Sequence, residues 1–530
     1  MIDRLIRIFH TLRYLKPVQL YYRVYFVLAR KRVVSFFKKK LDDAVPLSVA
    51  KLTLHPFSIH HAVPEGNRFV FLNLEKDFGA RVDWNYAANG KLWNYKLNYF
   101  EFVNDEKIDK AYALALITDY CKAMKNIDWG LEPYPISLRG MNWIRFFVTH
   151  KISDPQLNRA LYWQFKMLYY TVEYHLLGNH LMENGFALLF GAYYFRDEKF
   201  YKKATRILKT ELAEQTLADG AHFERSPMYH CILLHRVLDA YNLVASNPWK
   251  QDELQTILKQ KAAVMAGWLK QMQFSNGDLP QVNDTVEHEC EPSVLFQYAQ
   301  ALGIQPQTTA LGESGYRMIR TPRFELLIDV GNIGPDYIPG HAHSDTFSFI
   351  LYVDGAPQLV ETGTSTYLPG ERRHLERTTA SHNTVAVAKC EQSDVWSTFR
   401  VGRRAKVISL KEEANAVTAT HDGYRSIGVL HERSWTWTND SITITDKVTG
   451  NKSAEAYIHF PPGVQPRMLD AGKIDAGFFF IGLANHTQAS VGEYLMAAGF
   501  NKLERCACLN IQFTDRLETK ISLHAPGQLR

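Results

Sequence analysis

The period of the apolar residues changes near residue 310, and that change restricts the chain to a two-part fold. From about Trp93 to that point, apolar residues recur at steps of three and four, the spacing that lines one face of a helix. KAYALALITDYCKAM, LNRALYWQFKMLYYTVEYHLL, MYHCILLHRVLDAYNLVA and LQTILKQKAAVMAGWLKQM are examples, separated by short turns such as LLGNH and SNGDLP. Helical hairpins with no strands between them predict an α/α toroid or bundle. After residue 310 the pattern alternates, as in FELLIDVG, TFSFILYV, HNTVAVA, SITITDKVTG and CLNIQFTD. Such runs, divided by Gly, Asp and Asn turns, predict an antiparallel sandwich. The expected class is α+β and multidomain, with an N-terminal (α/α) toroid followed by a C-terminal antiparallel β-sandwich. The expected divisions are an extension over 1–90, the toroid over 91–309 and the sheet domain over 310–530. A cleft between two such domains is a usual place for a ligand.

The chain has 530 residues, 46% hydrophobic and 22% charged, within the range of ordinary globular proteins. Its net charge of +6 permits an anionic ligand without demanding one. The N-terminal segment is basic and aromatic, and its longest apolar run is Val24 to Ala29. That is shorter than a secretory core or a membrane span requires. A cytoplasmic protein is expected, with a periplasmic or secreted one as the alternative if an export signal goes unrecognised. The basic segment is expected to pack on the main domain, or else to touch a membrane surface or a partner. No nucleic-acid partner is expected, and the sequence is silent on oligomeric state. The six cysteines form no zinc or disulfide framework and are expected as free thiols.

The stretch Gly340–Val385 concentrates polar chemistry. Read as a strand, it puts His341 and His343 on one face, with Asp354-Gly355 as a hairpin turn. Glu361 on the partner strand meets His343 across the sheet, and His382 follows. Imidazole with carboxylate suits zinc or another divalent ion, with manganese and calcium as the other choices. Arg372, Arg373 and Arg377 could bind sulfate or carboxylate groups bidentately, and Tyr367 could face the same ligand. In the helical part, Asn179 can cap a helix that carries His180 and Glu183 on one face. Glu224, Arg225 and Tyr229 surround a helix start with Ser226 as cap and Pro227 at its first position. Arg139 could hold an acidic sugar, and Trp93 and Asn98 could line a sugar groove. Asn283-Asp284 lies in a loop that could approach the same cleft.

GNHLMENG, ERSPMYH, GHAHSDTFSF, and ETGT followed by ASHNTV resemble, in order and spacing over roughly residues 90–450, the heparinase II/III-like polysaccharide lyases. The resemblance implies eliminative cleavage of a uronic-acid polysaccharide. The proton at C5 is barely acidic while the adjacent carboxylate is charged, so donors must neutralise that carboxylate. A base must reach C5 and an acid the 4-linked oxygen. Carried over by motif, Tyr229 is the catalytic tyrosine, as base and acid or as acid alone. His341 is the imidazole across the sugar ring, and Asn179 and His180 face the carboxylate. Glu183 matches an acidic residue beside that pair. His343, Glu361 and His382 match the metal ligands, with Glu361 standing where relatives more usually have Asp. The implied metal is mainly structural and braces the loop that presents His341. A glycosaminoglycan such as heparan sulfate, chondroitin sulfate or hyaluronan is the first expectation. The alternatives are alginate or another polyuronate, trimming of imported oligosaccharides, and a non-catalytic protein that binds exopolysaccharide in a biosynthetic cluster.

Overall fold

A computed structural model of the chain describes residues 2–57, 59, 62–286 and 291–524. Two helices come first, α1 (Ile2–Leu12) and α2 (Pro17–Lys40). The run FVFLNLEKDF, which reads as one strand, is a hairpin of β1 (Arg68–Phe71) and β2 (Leu74–Asp77). Leu72 and Asn73 take φ values of 55° and 58°, and two successive positive φ values make the tight turn that matches strand twist. The first 90 residues have no separate core. Phe37, Leu41, Phe69 and Trp84 are buried in the same cluster as the helical domain.

The helical domain comprises α3 (Lys91–Tyr99), α4 (Lys110–Ala123), α5 (Pro133–His150), α6 (Pro155–Thr171), α7 (Gly178–Phe195), α8 (Glu198–Gln215), α9 (Pro227–Ser246), α10 (Leu254–Met272) and α11 (Pro292–Ala301). Helices α5, α7 and α9 pack side by side, and α6, α8 and α10 pack against them. This inner and outer arrangement is written in burial. All of α7 except His180 is buried, whereas α8 buries one stripe through Phe200, Ala204, Ile207, Leu208 and Leu212. An apolar helix needs neighbours on every side; an amphipathic one needs a single neighbouring face. The run read as one helix to Leu177 stops at Thr171. Asn179 is not the cap of α7, because Leu177 holds that position with φ 65° and Asn179 lies inside the first turn. Ser226 does cap α9, its Oγ accepting from the Tyr229 N–H at 3.4 Å.

Helix gives way to strand between Ala301 and Tyr316. One sheet is formed by β3 (Tyr316–Arg320), β4 (Phe324–Asp329), β5 (Phe349–Val353) and β6 (Ala356–Leu359) in that order, all antiparallel. The turn between β5 and β6 is Asp354-Gly355, with φ values of 48° and 80°. The second sheet has ten strands, and its centre is a long antiparallel pair, Phe479–Ala497 with Leu503–Leu523. Phe324, Leu326 and Ile328 of β4 pack against this sheet through a shared cluster with Trp435, Ile444, Leu509 and Ile511. Between them in sequence, Leu327 packs the other way, in a cluster with Trp268 and Met272 of α10. Strand alternation thus makes β4 a shared wall of both domains. The result is a helical toroid joined to an antiparallel sheet sandwich, as the periodicity predicts.

Of the cysteines, Cys121, Cys390, Cys506 and Cys508 are free. Cys231 is disulfide-bonded, against the expectation of free thiols throughout, and Cys290 lies outside the described residues.

Candidate active site

The inner helices begin at a cavity of about 1340 Å³ between the two domains. Tyr134 is the second residue of α5, Asn179 and His180 are the second and third of α7, and Tyr229 is the third of α9. All four line the cavity. Helix N-termini leave backbone N–H groups unpaired and carry positive partial charge, so this wall suits an anion. Gly178 opens α7 at φ +58°, and a Cβ there would come within 3.0 Å of Glu224 Oε1. That oxygen accepts from the Asn179 N–H at 3.4 Å. His180 Nδ1 lies 3.3 Å from Glu173 Oε1. Burial works to lower the His180 pKa, but the Glu173 carboxylate outweighs it and holds the imidazole above its ordinary value. Glu173 shifts down in response, as expected of an ion pair.

The sheet domain supplies the opposite partner. GHAHSD is loop, not strand, yet His341 and His343 still converge, because both bind one carboxylate. Asp284 Oδ2 lies 2.9 Å from His341 Nδ1, and Oδ1 lies 2.9 Å from His343 Nε2. Arg373 donates to both oxygens, its Nη2 to Oδ2 at 2.7 Å, and Thr364 Oγ1 donates to Oδ1 at 3.1 Å. Burial pushes the Asp284 carboxyl up, but Arg373 and the two imidazoles hold it well below the usual range. An ionised Asp284 fixes the proton of His341 on Nδ1 and leaves the Nε2 lone pair available. His341 Nε2 lies 3.5 Å from Glu224 Oε2, a carboxyl that burial pushes up.

Tyr229 and His341 meet directly. Their rings stack with centroids 3.8 Å apart and planes 28° apart. The two hydroxyls of Tyr229 and Tyr367 are 3.3 Å apart. Burial first, and Asp284 second, raise the Tyr229 phenol far above its ordinary value, which keeps it protonated. Two rings at van der Waals distance leave no room for a sugar between them, so they do not bracket a ring from opposite sides as expected. They present acid and base from one wall. The site therefore combines a protonated phenol, an imidazole held through Nδ1 by Asp284, and a helix start that carries positive partial charge.

Residues 136–312 match the family model described as Heparinase II/III N-terminus, and residues 304–507 match Heparinase II/III-like, C-terminal. The chain belongs to the heparinase II/III-like family. It is 21% identical over 346 residues to a heparin-sulfate lyase of Bacteroides stercoris, covering 58% of this chain and 50% of that one. It thus spans half the length of that curated relative. Among solved structures, heparinase III has the same fold with a TM-score of 0.68 and 16% identity, over 92% of this chain and 89% of that one. A heparan sulfate lyase of Pedobacter heparinus aligns with a TM-score of 0.56 and 16% identity, over 94% and 89% of the two chains.

In this heparinase II/III-like chain, Asn179, His180, Glu224, Tyr229, His341 and Tyr367 share the cavity wall. Other expected ligand-binding residues do not. Arg139 is fully buried, donating to Gln164 Oε1 at 2.7 Å and to the carbonyls of Asn98 and Gly130. Trp93 and Asn98 are core residues; the indole donates to Leu74 O, and the amide to Trp84 O and Asn94 O. Arg377 spends its donors on the carbonyls of Ala342, Ser397, Thr398 and Arg400, and burial beside Arg373 lowers its pKa to about 9. Glu183 is buried under Arg236, whose Nε lies 3.2 Å from both of its oxygens; Arg236 lines the cavity and Glu183 does not. Arg225 points to Glu313 O. In each case a side chain that reads as a ligand hook instead satisfies backbone or carboxylate groups inside the fold.

His343, Glu361 and His382 are all buried, and none lies in a strand. The rings of His343 and His382 are 5.3 Å apart. His343 Nδ1 and His382 Nε2 are buried without a partner among the described residues, the kind of nitrogen that suits a metal. Glu361, however, is taken up by His382 Nδ1 and Ser348 Oγ. No cluster of three or more metal-ligating side chains converges among the described residues. The donor types fit a divalent ion, but their present arrangement does not form its cage.

The sequence places Asn283-Asp284 in a loop that could approach the cleft and reads Arg373 as an anion binder, but it does not pair Asp284 with Arg373 or with the two imidazoles, the contacts that organise the sheet side of the site. The signal was weak: an acid in the loop PQVND with no helical or strand neighbour to mark its partner.

Proposed function

We propose that the protein is a polysaccharide lyase that cleaves a uronate-containing chain by β-elimination. The observation that carries this is the stack of Tyr229 on His341, with Asp284 behind the imidazole. His341 Nε2 takes the C5 proton, and the electron pair moves to form the C4–C5 double bond. The bond from C4 to the linking oxygen breaks, and the Tyr229 hydroxyl protonates that oxygen. Acid and base on one wall favour elimination in which the proton and the leaving oxygen depart from the same face of the sugar. Asn179, cationic His180 and the α7 N-terminus receive the carboxylate, so the charge that develops at C5 is spread onto donors already in place.

A glycosaminoglycan is the proposed substrate, resting on the activities named for the heparin-sulfate and heparan sulfate lyases above. A second reading, an unsulfated polyuronate such as alginate, is favoured by the fate of the arginines. Arg139, Arg373 and Arg377 are all committed inside the fold, so they offer no sulfate clamp. A panel of heparan sulfate, chondroitin sulfate, hyaluronan and alginate decides between these by ultraviolet absorbance of the unsaturated product. Product from any of the three glycosaminoglycans but not alginate supports the first reading, product from alginate alone the second, and no product from any member refutes lyase activity.

A divalent ion, zinc first, is proposed near His343, Glu361 and His382, where it would supply charge that braces the loop of His341. Metal analysis of the purified protein, with melting before and after chelation, tests this. An unchanged melting temperature together with no bound metal rejects it.

A further inference from the structure

We propose that the N-terminal helices dock the protein on an anionic phospholipid surface. The inference starts from charge. The first 40 residues hold eleven Lys and Arg against one acid, Asp3. That is +10, whereas the whole chain is +6, so the other 490 residues are net −4. Charge is therefore segregated onto α1 and α2 rather than spread over the molecule.

Packing adds the second observation. Helix α2 is apolar on two faces. The inward face is seated on the helical domain: Phe37 is buried, Phe26 stacks on His175 at 3.9 Å and Tyr22 meets Tyr174 at 4.7 Å. The outward face carries Leu20, Val24, Val27 and Leu28, at steps that keep them on one side of a helix. Val24, Val27 and Leu28 are 61%, 71% and 65% exposed. Helix α1 repeats the pattern with Leu5, Ile6, Phe9 and Leu12, all exposed. Of the 23 exposed large hydrophobic side chains among the described residues, 11 fall in these two helices. Single exposed apolar residues need no explanation, but a concentrated set does.

Charge and stripe together select the occupant. Arg23, Lys31, Arg32 and Lys39 make no ion pair with any described residue and flank the stripe. A second copy of the chain in a symmetric dimer would set +10 against +10. A soluble polyanion would satisfy the cations and leave the apolar stripe in water. An anionic bilayer satisfies both, taking the side chains below its headgroups while Lys and Arg reach the phosphates. No helix among the described residues is long and apolar enough to span, so the contact is interfacial. Leu12, Leu20 and Arg23 also line the cavity, which sets its mouth beside the docked surface.

The test uses the full chain and vesicles of phosphatidylcholine with or without phosphatidylglycerol. The wild-type protein should sediment with the anionic vesicles and remain largely free with the neutral ones. Val24→Gln/Val27→Gln/Leu28→Gln should lower the bound fraction about tenfold, with the far-ultraviolet circular dichroism and melting of the wild type. Lys31→Gln/Arg32→Gln should abolish most of the preference for anionic vesicles. Equal sedimentation of wild type and triple variant overturns the proposal, as does absence of wild-type binding. So does a dimer in solution that the triple variant converts to monomer, with no vesicle binding by either. The readout is binding, so the proposal stands or falls apart from the lyase reading.

Discussion

The helical and sheet sides of the cavity reach the same substrate space by different physics. Asn179, His180 and Tyr229 each ride the first turn of a long helix, and their directions follow from helix geometry alone. His341 rides a loop and is aimed by Asp284, which Arg373, His343 and Thr364 hold in turn. The helical side is positioned by backbone and the sheet side by one buried carboxylate. A substitution on the first side should remove a chemical group and leave the rest standing. A substitution at Asp284 should disturb aim, charge and stability together.

The sharpest test of that contrast is Tyr229→Phe, expected to lower kcat about 10³-fold, as loss of an acid–base group does, with melting within about 2 °C of wild type. A large loss of stability in this variant would break the contrast. Asp284→Asn should lower kcat about 10²-fold and also cost about 3–5 kcal/mol in denaturant unfolding, because Arg373 is left as a buried unpaired charge. A purely kinetic effect there would show that Asp284 is not the organiser.

The next effect is a pH limb. The His180 pKa lies above 6.5 in the folded protein, so its cation is present at low pH and lost as pH rises through that higher value. Its stabilisation with Glu173 is likewise complete below 6.5 and lost on the same rise. His180→Gln should raise KM about tenfold near neutrality and remove the alkaline limb of kcat/KM that titrates with this group. The smallest expected effect on chemistry is that of Arg377→Met. It should leave KM within about twofold while destabilising by about 1–3 kcal/mol, since carbonyls lose their donors. A large KM change would return Arg377 to the ligand.

The same contrast explains what could be read from the sequence. The helix start at Ser226-Pro227 is a local pattern, so the placement of Tyr229 was legible, and the start of α7 was legible to within two residues, with Asn179 read as its cap but lying inside its first turn. Asp284 meets His341, His343 and Arg373 across separations of 57, 59 and 89 residues, and no local pattern encodes such meetings. The arginines misled for a related reason. A guanidinium in a loop rich in polar residues reads as a hook for anions, but Arg377 donates to four carbonyls inside the fold. Trp93 and Asn98 looked like sugar-groove residues because aromatic and amide groups suit both a groove and a core, and only burial separates the two.

Strand β4 has an evolutionary corollary. Its odd residue faces one domain and its even residues the other, so the toroid constrains the size of Leu327 while the sandwich constrains Phe324, Leu326 and Ile328 on the same strand. A toroid and a sandwich taken from different relatives would meet at a mismatched seam. Chimeras of such proteins should fail at this strand unless it travels with residues from both parents, and the two halves should drift in sequence as a linked pair rather than as interchangeable modules.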